Sequence, residues 1–246
     1  MKKLVLGLLI AAASSAGCSS DTTTVVTPTD TPVSVSWTFK NLEDSTVGSC
    51  PTGYPTATIV SQSIDPTTHL GTGLTVRDQF DCSAGHGTIT LPADTFLVWV
   101  EITDANDKNP YAQTEETFVD TSAAVPAIDT EVLNDGGYIQ LTWDLVDSKT
   151  HALVSCKNAG VGANGSVEVT PTLTGSNALI TDKFTCDDHF GTTAGLLSGN
   201  YTISVAVNAT DNASDPPLGD PQSVPNISVE APSVITYVGN IMLPID

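Results

Sequence analysis

Five cysteines, four histidines and two short runs of Asp and Asn carry most of the reactive or ligating chemistry in this sequence. Cys50 and Cys82 form one well-spaced pair, Cys156 and Cys186 form another, and Cys18 stands alone near the N-terminus. A thiolate metal site calls for closer spacing or a Cys-x-x-Cys pair, and neither is present. In an oxidising compartment the same residues serve as a disulfide framework. His69, His86, His151 and His189 are scattered. Asp187-Asp188-His189 offers oxygen and imidazole ligands, but the matching place after Cys82 reads Ser83-Ala84-Gly85. That cluster is either a metal site of one half of the chain or a polar loop beside a cysteine. Asp104, Asn106 and Asp107, and further on Asp211 and Asp215, are candidate oxygen ligands for calcium. They are equally the residue types that turns favour for local hydrogen bonding. No Gly-x-Ser-x-Gly, His-Glu-x-x-His, P-loop or dinucleotide-binding glycine motif occurs, and no His is placed to serve a Ser or Cys nucleophile. Asp78 and Asp182 recur at matching positions without a partner acid or base, so the expectation is a chain that is not an enzyme.

The elements that must hold these residues follow from composition. At 246 residues there is room for one large domain or two small ones. With 40% hydrophobic and 15% charged residues there is material for a packed core. Eight basic against 28 acidic side chains give a net charge of −20, which excludes nucleic acid as a partner and calls for counter-ions. Thr, Val, Ser, Asp and Gly dominate, the vocabulary of strands and turns, and a coiled coil or a multi-span membrane protein is excluded.

The chain aligns with itself. Trp37 and Trp143 each precede a cysteine, Cys50 or Cys156, by 13 positions. Val33, Val35, Trp37 and Phe39 match Ile139, Leu141, Trp143 and Leu145, alternating with polar residues as half-buried strands do. Leu74, Val76, Asp78, Phe80 and Cys82 match Ala178, Ile180, Asp182, Phe184 and Cys186. Phe96, Val98, Val100 and Ile102 match Tyr201, Ile203, Val205 and Val207. Four cysteines allow three connectivities, and the repeat selects Cys50–Cys82 and Cys156–Cys186. The expected fold is all-β: two tandem antiparallel β-sandwich domains over residues 33–135 and 136–246, each with one disulfide and about seven strands. Trp precedes the first Cys, the reverse of true immunoglobulin domains, so the kinship is immunoglobulin-like in architecture only.

Met1-Lys2-Lys3, the apolar run 4–13 and Ser15-Ala16-Gly17-Cys18 resemble a bacterial lipoprotein signal peptide, with Ser15 where the family usually has Leu. The alternative is an ordinary secretory signal. The lipoprotein resemblance implies a leader over 1–17, acylated Cys18 as the mature N-terminus, and attachment to the membrane of a bacterial cell envelope. Ser19 in place of Asp points to the outer membrane rather than the inner. Residues 18–32, polar and holding two prolines, then read as a flexible tether. The mature chain would carry six basic and 28 acidic side chains, a net −22. Leu91-Pro92-Ala93-Asp94-Thr95-Phe96-Leu97-Val98 and 197–203 resemble a strand of carboxypeptidase-regulatory-like, or transthyretin-like, sandwich modules, which implies a spacer or interaction domain. Asp104-Ala105-Asn106-Asp107-Lys108-Asn109-Pro110 is similar to the calcium-binding linker of cadherins, with Lys108 where that linker has Asn.

The two copies differ on the later strand. Thr202, Ser204 and Ala206 are replaced in the first copy by Leu97, Trp99 and Glu101. If the alternation holds, Leu97 and Trp99 lie on the outside, either covered by a neighbouring segment or forming a partner-binding patch. The sequence therefore predicts a non-enzymatic, lipid-anchored envelope or surface protein, structural or protein-binding, partnered by another surface protein or polysaccharide. A calcium-dependent adhesin is the alternative, and no other cofactor is expected.

Overall fold

The structure, a computed structural model, describes residues 30–246 apart from 66–70, 124, 126, 177–179, 211 and 213–215. The leader, Cys18, most of the tether, His69, Asp211 and Asp215 lie outside the described residues. Among the described residues, apart from two one-turn 3-10 helices at Cys82–Ala84 and Cys186–Asp188, the regular structure is strand. No helix among the described residues is long and apolar enough to cross a membrane.

The first half holds β1 (Thr31–Lys40), β2 (Thr56–Ile64), β3 (Gly71–Asp81), β4 (His86–Leu91), β5 (Thr95–Thr103), β6 (Pro110–Gln113), β7 (Thr117–Asp120) and β8 (Ile128–Leu133). They form two sheets, β4-β1-β8 and β3-β2-β5, with β6 and β7 both pairing β5. The second half holds β9 (Gly136–Asp147), β10 (Leu153–Val154), β11 (Ser166–Leu173), β12 (Asp182–Thr185), β13 (Phe190–Thr192), β14 (Leu196–Leu197), β15 (Gly199–Asn208), β16 (Gln222–Val229) and β17 (Ile235–Ile245). Here β9 is flanked by β17 on one side and by β14, β13 and β10 on the other, and the facing sheet runs β12-β11-β15-β16. The core strands repeat: β9, β11, β12, β13, β15 and β17 take the places of β1, β2, β3, β4, β5 and β8.

Each half has its own core, because alternate residues of both its sheets point inward. Val33, Val35, Trp37 and Phe39 of β1 pack with Ile59, Phe96, Val98 and Val100. Ile139, Leu141, Trp143 and Leu145 of β9 pack with Val167, Ile203, Val205 and Leu243. At roughly 1.5–3 kcal/mol for each large apolar side chain, this burial is the main favourable term in each domain.

Two features depart from simple antiparallel sandwiches. The first strand of each half pairs in parallel with the last, β1 with β8 and β9 with β17. A parallel pair needs a long crossover, and here the whole facing sheet supplies it. In addition, β9 is buried on both faces over Gly136–Leu141, whereas β1 alternates, because the outer face of β9 there lies against the first domain.

Candidate functional site

The disulfides are at the expected positions, Cys50–Cys82 and Cys156–Cys186, with Cα separations of 6.0 Å in each. Each is built into the same local device. Trp37 Nε1 donates to the Cys82 carbonyl at 2.9 Å, and Trp143 Nε1 to the Cys186 carbonyl at 3.0 Å. Phe80 lies against Trp37 and Phe184 against Trp143. The one-turn helix after each pair ends in a left-handed residue, Gly85 in the first domain and His189 in the second. His189 is thus the counterpart of Gly85, and its Nδ1 lies 2.9 Å from the Trp143 carbonyl. The ring beside Asp187 and Asp188 is engaged in holding this turn. Among the described residues no three His, Cys, Asp or Glu side chains come together as a metal site.

The Asp104 loop follows β5. Asp104 accepts from the backbone N–H of Asn106 and Lys108 and from Asn109 Nδ2, which holds its carboxyl below the usual range. Asn106 enters this turn through its backbone. Asp107, at positive φ, belongs elsewhere: it turns back over the outer face of the β3-β2-β5 sheet. There Arg77 Nε donates to Asp107 Oδ2 at 3.0 Å and one terminal guanidinium nitrogen to Asp107 Oδ1 at 2.9 Å, a two-pronged pair. That same nitrogen reaches Glu101 Oε2 at 2.8 Å, and Thr58 Oγ1 donates to Asp107 Oδ1 at 2.8 Å. Arg77 holds the Asp107 carboxyl down to about 2, and the two carboxylates raise the guanidinium in turn. Glu101 also accepts Trp99 Nε1 at 3.0 Å.

Trp99 of β5 and Asp107 of the loop that follows it are therefore joined on one surface with Arg77 of β3, through Glu101. Trp99 of β5, Val60 of β2 and Arg77 of β3 are in register across three strands. Arg77 is the chain's only arginine, and Trp99 is the only one of three tryptophans without a counterpart in the other copy. The equivalent row of the second domain is Ser204, Thr170 and Thr181, the last two joined by their hydroxyls at 2.9 Å. Ala206 stands where Glu101 does. Arg77 is the member of this surface that the sequence reading does not single out. Its signal was its rarity among 28 acidic side chains.

For Leu97 the structure takes the first of the two alternatives, cover by neighbouring side chains. Leu97 faces outward, but it is only 7% exposed, because Gln62 and Phe118 stand directly opposite it on the flanking strands. Trp99 is half-buried and retains a partly open ring, while Phe118 beside Leu97 is 47% exposed. The outer surface is thus carried by Trp99, Phe118 and Arg77 rather than by Leu97.

Asp182 accepts from the Ala194 N–H at 3.3 Å, and burial raises its carboxyl. Asp78 lies on β3 opposite Ile59.

No protein family matches the chain by sequence, and no curated protein matches it. Among solved structures, the TIE protein of Bacillus anthracis aligns at 12% identity and a TM-score of 0.27, over 86% of this chain and 34% of that one. This chain thus spans about a third of that protein. GBS52, the minor pilin of Streptococcus agalactiae, aligns at 13% identity and a TM-score of 0.29, over 87% of this chain and 96% of that one. The fimbrial anchor protein Mfa2 of Porphyromonas gingivalis aligns at 12% and 0.25, over 72% and 78%. Likenesses this distant decide nothing about function.

Proposed function

We propose that this chain is a non-enzymatic binding protein of a bacterial envelope surface, held to the membrane through lipid on Cys18, and that it engages a protein partner through the outer face of the β3-β2-β5 sheet. One observation carries the reading: the only arginine and the unduplicated tryptophan share a surface where the sister domain presents small, neutral residues. Trp and Arg are the side chains most enriched at interface hot spots, since each offers a large rigid contact with a polar handle. Glu101 and Asp107 hold the guanidinium in one geometry, so little conformational freedom is lost on docking. The two disulfide-bonded domains act as the stiff support that presents this face away from the membrane.

The test uses photo-crosslinking in intact cells. Trp99 is replaced by a photoreactive phenylalanine analogue, and in a separate strain Ser204, its counterpart in the second domain, is replaced in the same way. A discrete protein adduct from position 99 that is absent from position 204, and lost when Arg77→Ala is added, is the expected result. Equal adducts from both positions, or none from position 99, would refute the reading. The anchor is checked in the same cells, where Cys18→Ala should release the chain from the membrane fraction.

A further inference from the structure

Away from the Trp99 face, the outer surface of the β9-β17 pair in the second domain gathers an imidazole, a carboxylate, an amide and a thioether. On β9, Trp143 and Leu145 point into the core, and Asp144 between them points out. On β17, Ile241 and Leu243 point in, and Asn240 and Met242 point out. The register sets Met242 directly beside Asp144. His189 reaches the same face from the other side of β9, where the turn it closes leads into β13.

Printed contacts join the four into one group. Asn240 Nδ2 donates to Asp144 Oδ2 at 2.8 Å and lies 3.6 Å from Met242 Sδ. Asp144 Oδ1 lies 3.8 Å from His189 Nδ1, which is 2.9 Å from the Trp143 carbonyl. A carbonyl only accepts, so Nδ1 carries the proton and the neutral ring keeps its lone pair on Nε2. A ring held through one nitrogen by a carbonyl, with the other nitrogen free, is the arrangement of a metal-ligating histidine. The hold is local and firm, since His189 sits at φ 54° in the turn behind the Cys156–Cys186 bridge.

Met242 is the chain's only methionine besides Met1, and it is 46% exposed. A thioether there forgoes the core packing that methionine usually provides. The first domain has none of this chemistry. Gly85, Thr38 and Glu131 stand where His189, Asp144 and Met242 do, and Glu131 is paired with Lys40.

We propose that His189 Nε2 and Met242 Sδ, with the Asp144 carboxylate beside them, form a binding site for copper(I). Calcium and magnesium take oxygen ligands, whereas a thioether with an imidazole selects copper(I). Asp144 offsets the charge of the ion, and Asn240 positions that carboxylate next to the sulfur. Asp144 and His189 are both partly exposed, so each has room to turn onto an ion at the surface. The chain's net charge of −20, with Asp187 and Asp188 on the turn that His189 closes, draws cations to this face.

The experiment titrates the full chain bearing Cys18→Ser, which removes the one thiol outside the two bridges, with copper(I) under anaerobic conditions against a chromophoric copper(I) chelator. A single ion should bind. Met242→Leu, at an exposed position that leaves the core untouched, should weaken binding at least about tenfold. His189→Gly, which copies the residue closing the same turn in the first domain, should do the same. His86→Gln should bind as its parent does. X-ray absorption at the copper edge should show a sulfur neighbour that Met242→Leu removes. No competition for copper(I), an affinity unchanged in Met242→Leu, or an equal loss in His86→Gln overturns the site.

Discussion

Asp107 shows how one side chain can belong to a different neighbourhood from its sequence neighbours. In the sequence it is the third oxygen of an Asp-Ala-Asn-Asp loop. In the structure Asp104 satisfies the turn by itself, and Asp107 is taken by Arg77 from two strands away. Spacing along the chain showed an oxygen-rich loop but not which oxygens face a guanidinium, since that depends on the register of β2, β3 and β5. The choice between the two alternatives for Leu97 depends on register in the same way: alternation places it outward, and only the register supplies Gln62 and Phe118 as its flanking walls. Asp107 also makes a prediction. Its carboxyl lies at about 2 in the folded protein, below its ordinary 3.8. A depressed carboxyl contributes stability that is present above its unfolded value and lost as pH falls through the folded one. Asp107→Asn should therefore cost about 1–2 kcal/mol at pH 6, a charged hydrogen bond discounted for the partly exposed guanidinium. The gap between variant and wild type should close as pH falls from about 4 toward 2. Denaturant titrations at stepped pH measure it, and a gap constant with pH would show that the Arg77 pair contributes nothing.

The strands were the most legible elements, because period-two alternation and an internal repeat support each other. Trp37 with Trp143 and Phe80 with Phe184 located the core strands, and the matched cysteines located the bridges. The parallel pairing of the first and last strand was not legible, since a strand's alternation is the same whichever way its neighbour runs. Nor were Thr114 and Thr193, both fully buried. Thr114 N–H donates to the Val100 carbonyl while its Oγ1 accepts from the Val100 N–H, and Thr193 does the same to Ile139. A hydroxyl takes over the acceptor role of a backbone carbonyl, which lets each strand interrupt its pairing without an orphaned N–H. The glycines beside the aromatic pairs are equally constrained. A Cβ on Gly87 would fall 2.8 Å from the Phe80 ring, and one on Gly191 would fall 2.7 Å from the Phe184 ring. Each ring is pinned against its Trp, so neither can step aside cheaply. Gly87→Ala and Gly191→Ala should each cost roughly 1–3 kcal/mol by overpacking. Equal losses in the two domains, read by denaturant unfolding, would show that the Trp-Phe-Gly stack is one device used twice. No loss in either would mean the rings are free to move.

At the scale of the whole molecule, the repeat foretold two cores but not how firmly they are joined. That information resides in residues that break the alternation. Tyr138 and Gln140 are polar-tipped, outward-facing on β9, and buried all the same. Their partners, the Glu131 carbonyl and the Glu116 carboxyl, come from the first domain. Ser233 is the pivot: fully buried, it donates its N–H to the Gly136 carbonyl, accepts the Gln113 N–H, and sends its hydroxyl to the Gln113 carbonyl at 2.6 Å. A turn of the second domain is in this way bonded into the end of β6 in the first. Two domains sharing buried hydrogen bonds and one doubly buried strand should unfold as a single cooperative unit, with calorimetric and van't Hoff enthalpies in agreement. Ser233→Ala removes the hydroxyl and leaves the Gln113 carbonyl short of a donor in a dry place, a loss of about 1–3 kcal/mol concentrated at the junction. Because that loss falls on the contact between the cores and not on either core, its expected signature is a change of mechanism as well as of midpoint. The variant's single calorimetric transition should broaden or split into two, each with an enthalpy near half of the whole. A wild type already unfolding in two steps would mean the junction is no stronger than a linker. A variant whose one sharp transition merely shifts would mean that packing around Tyr138, not the Ser233 bonds, couples the halves.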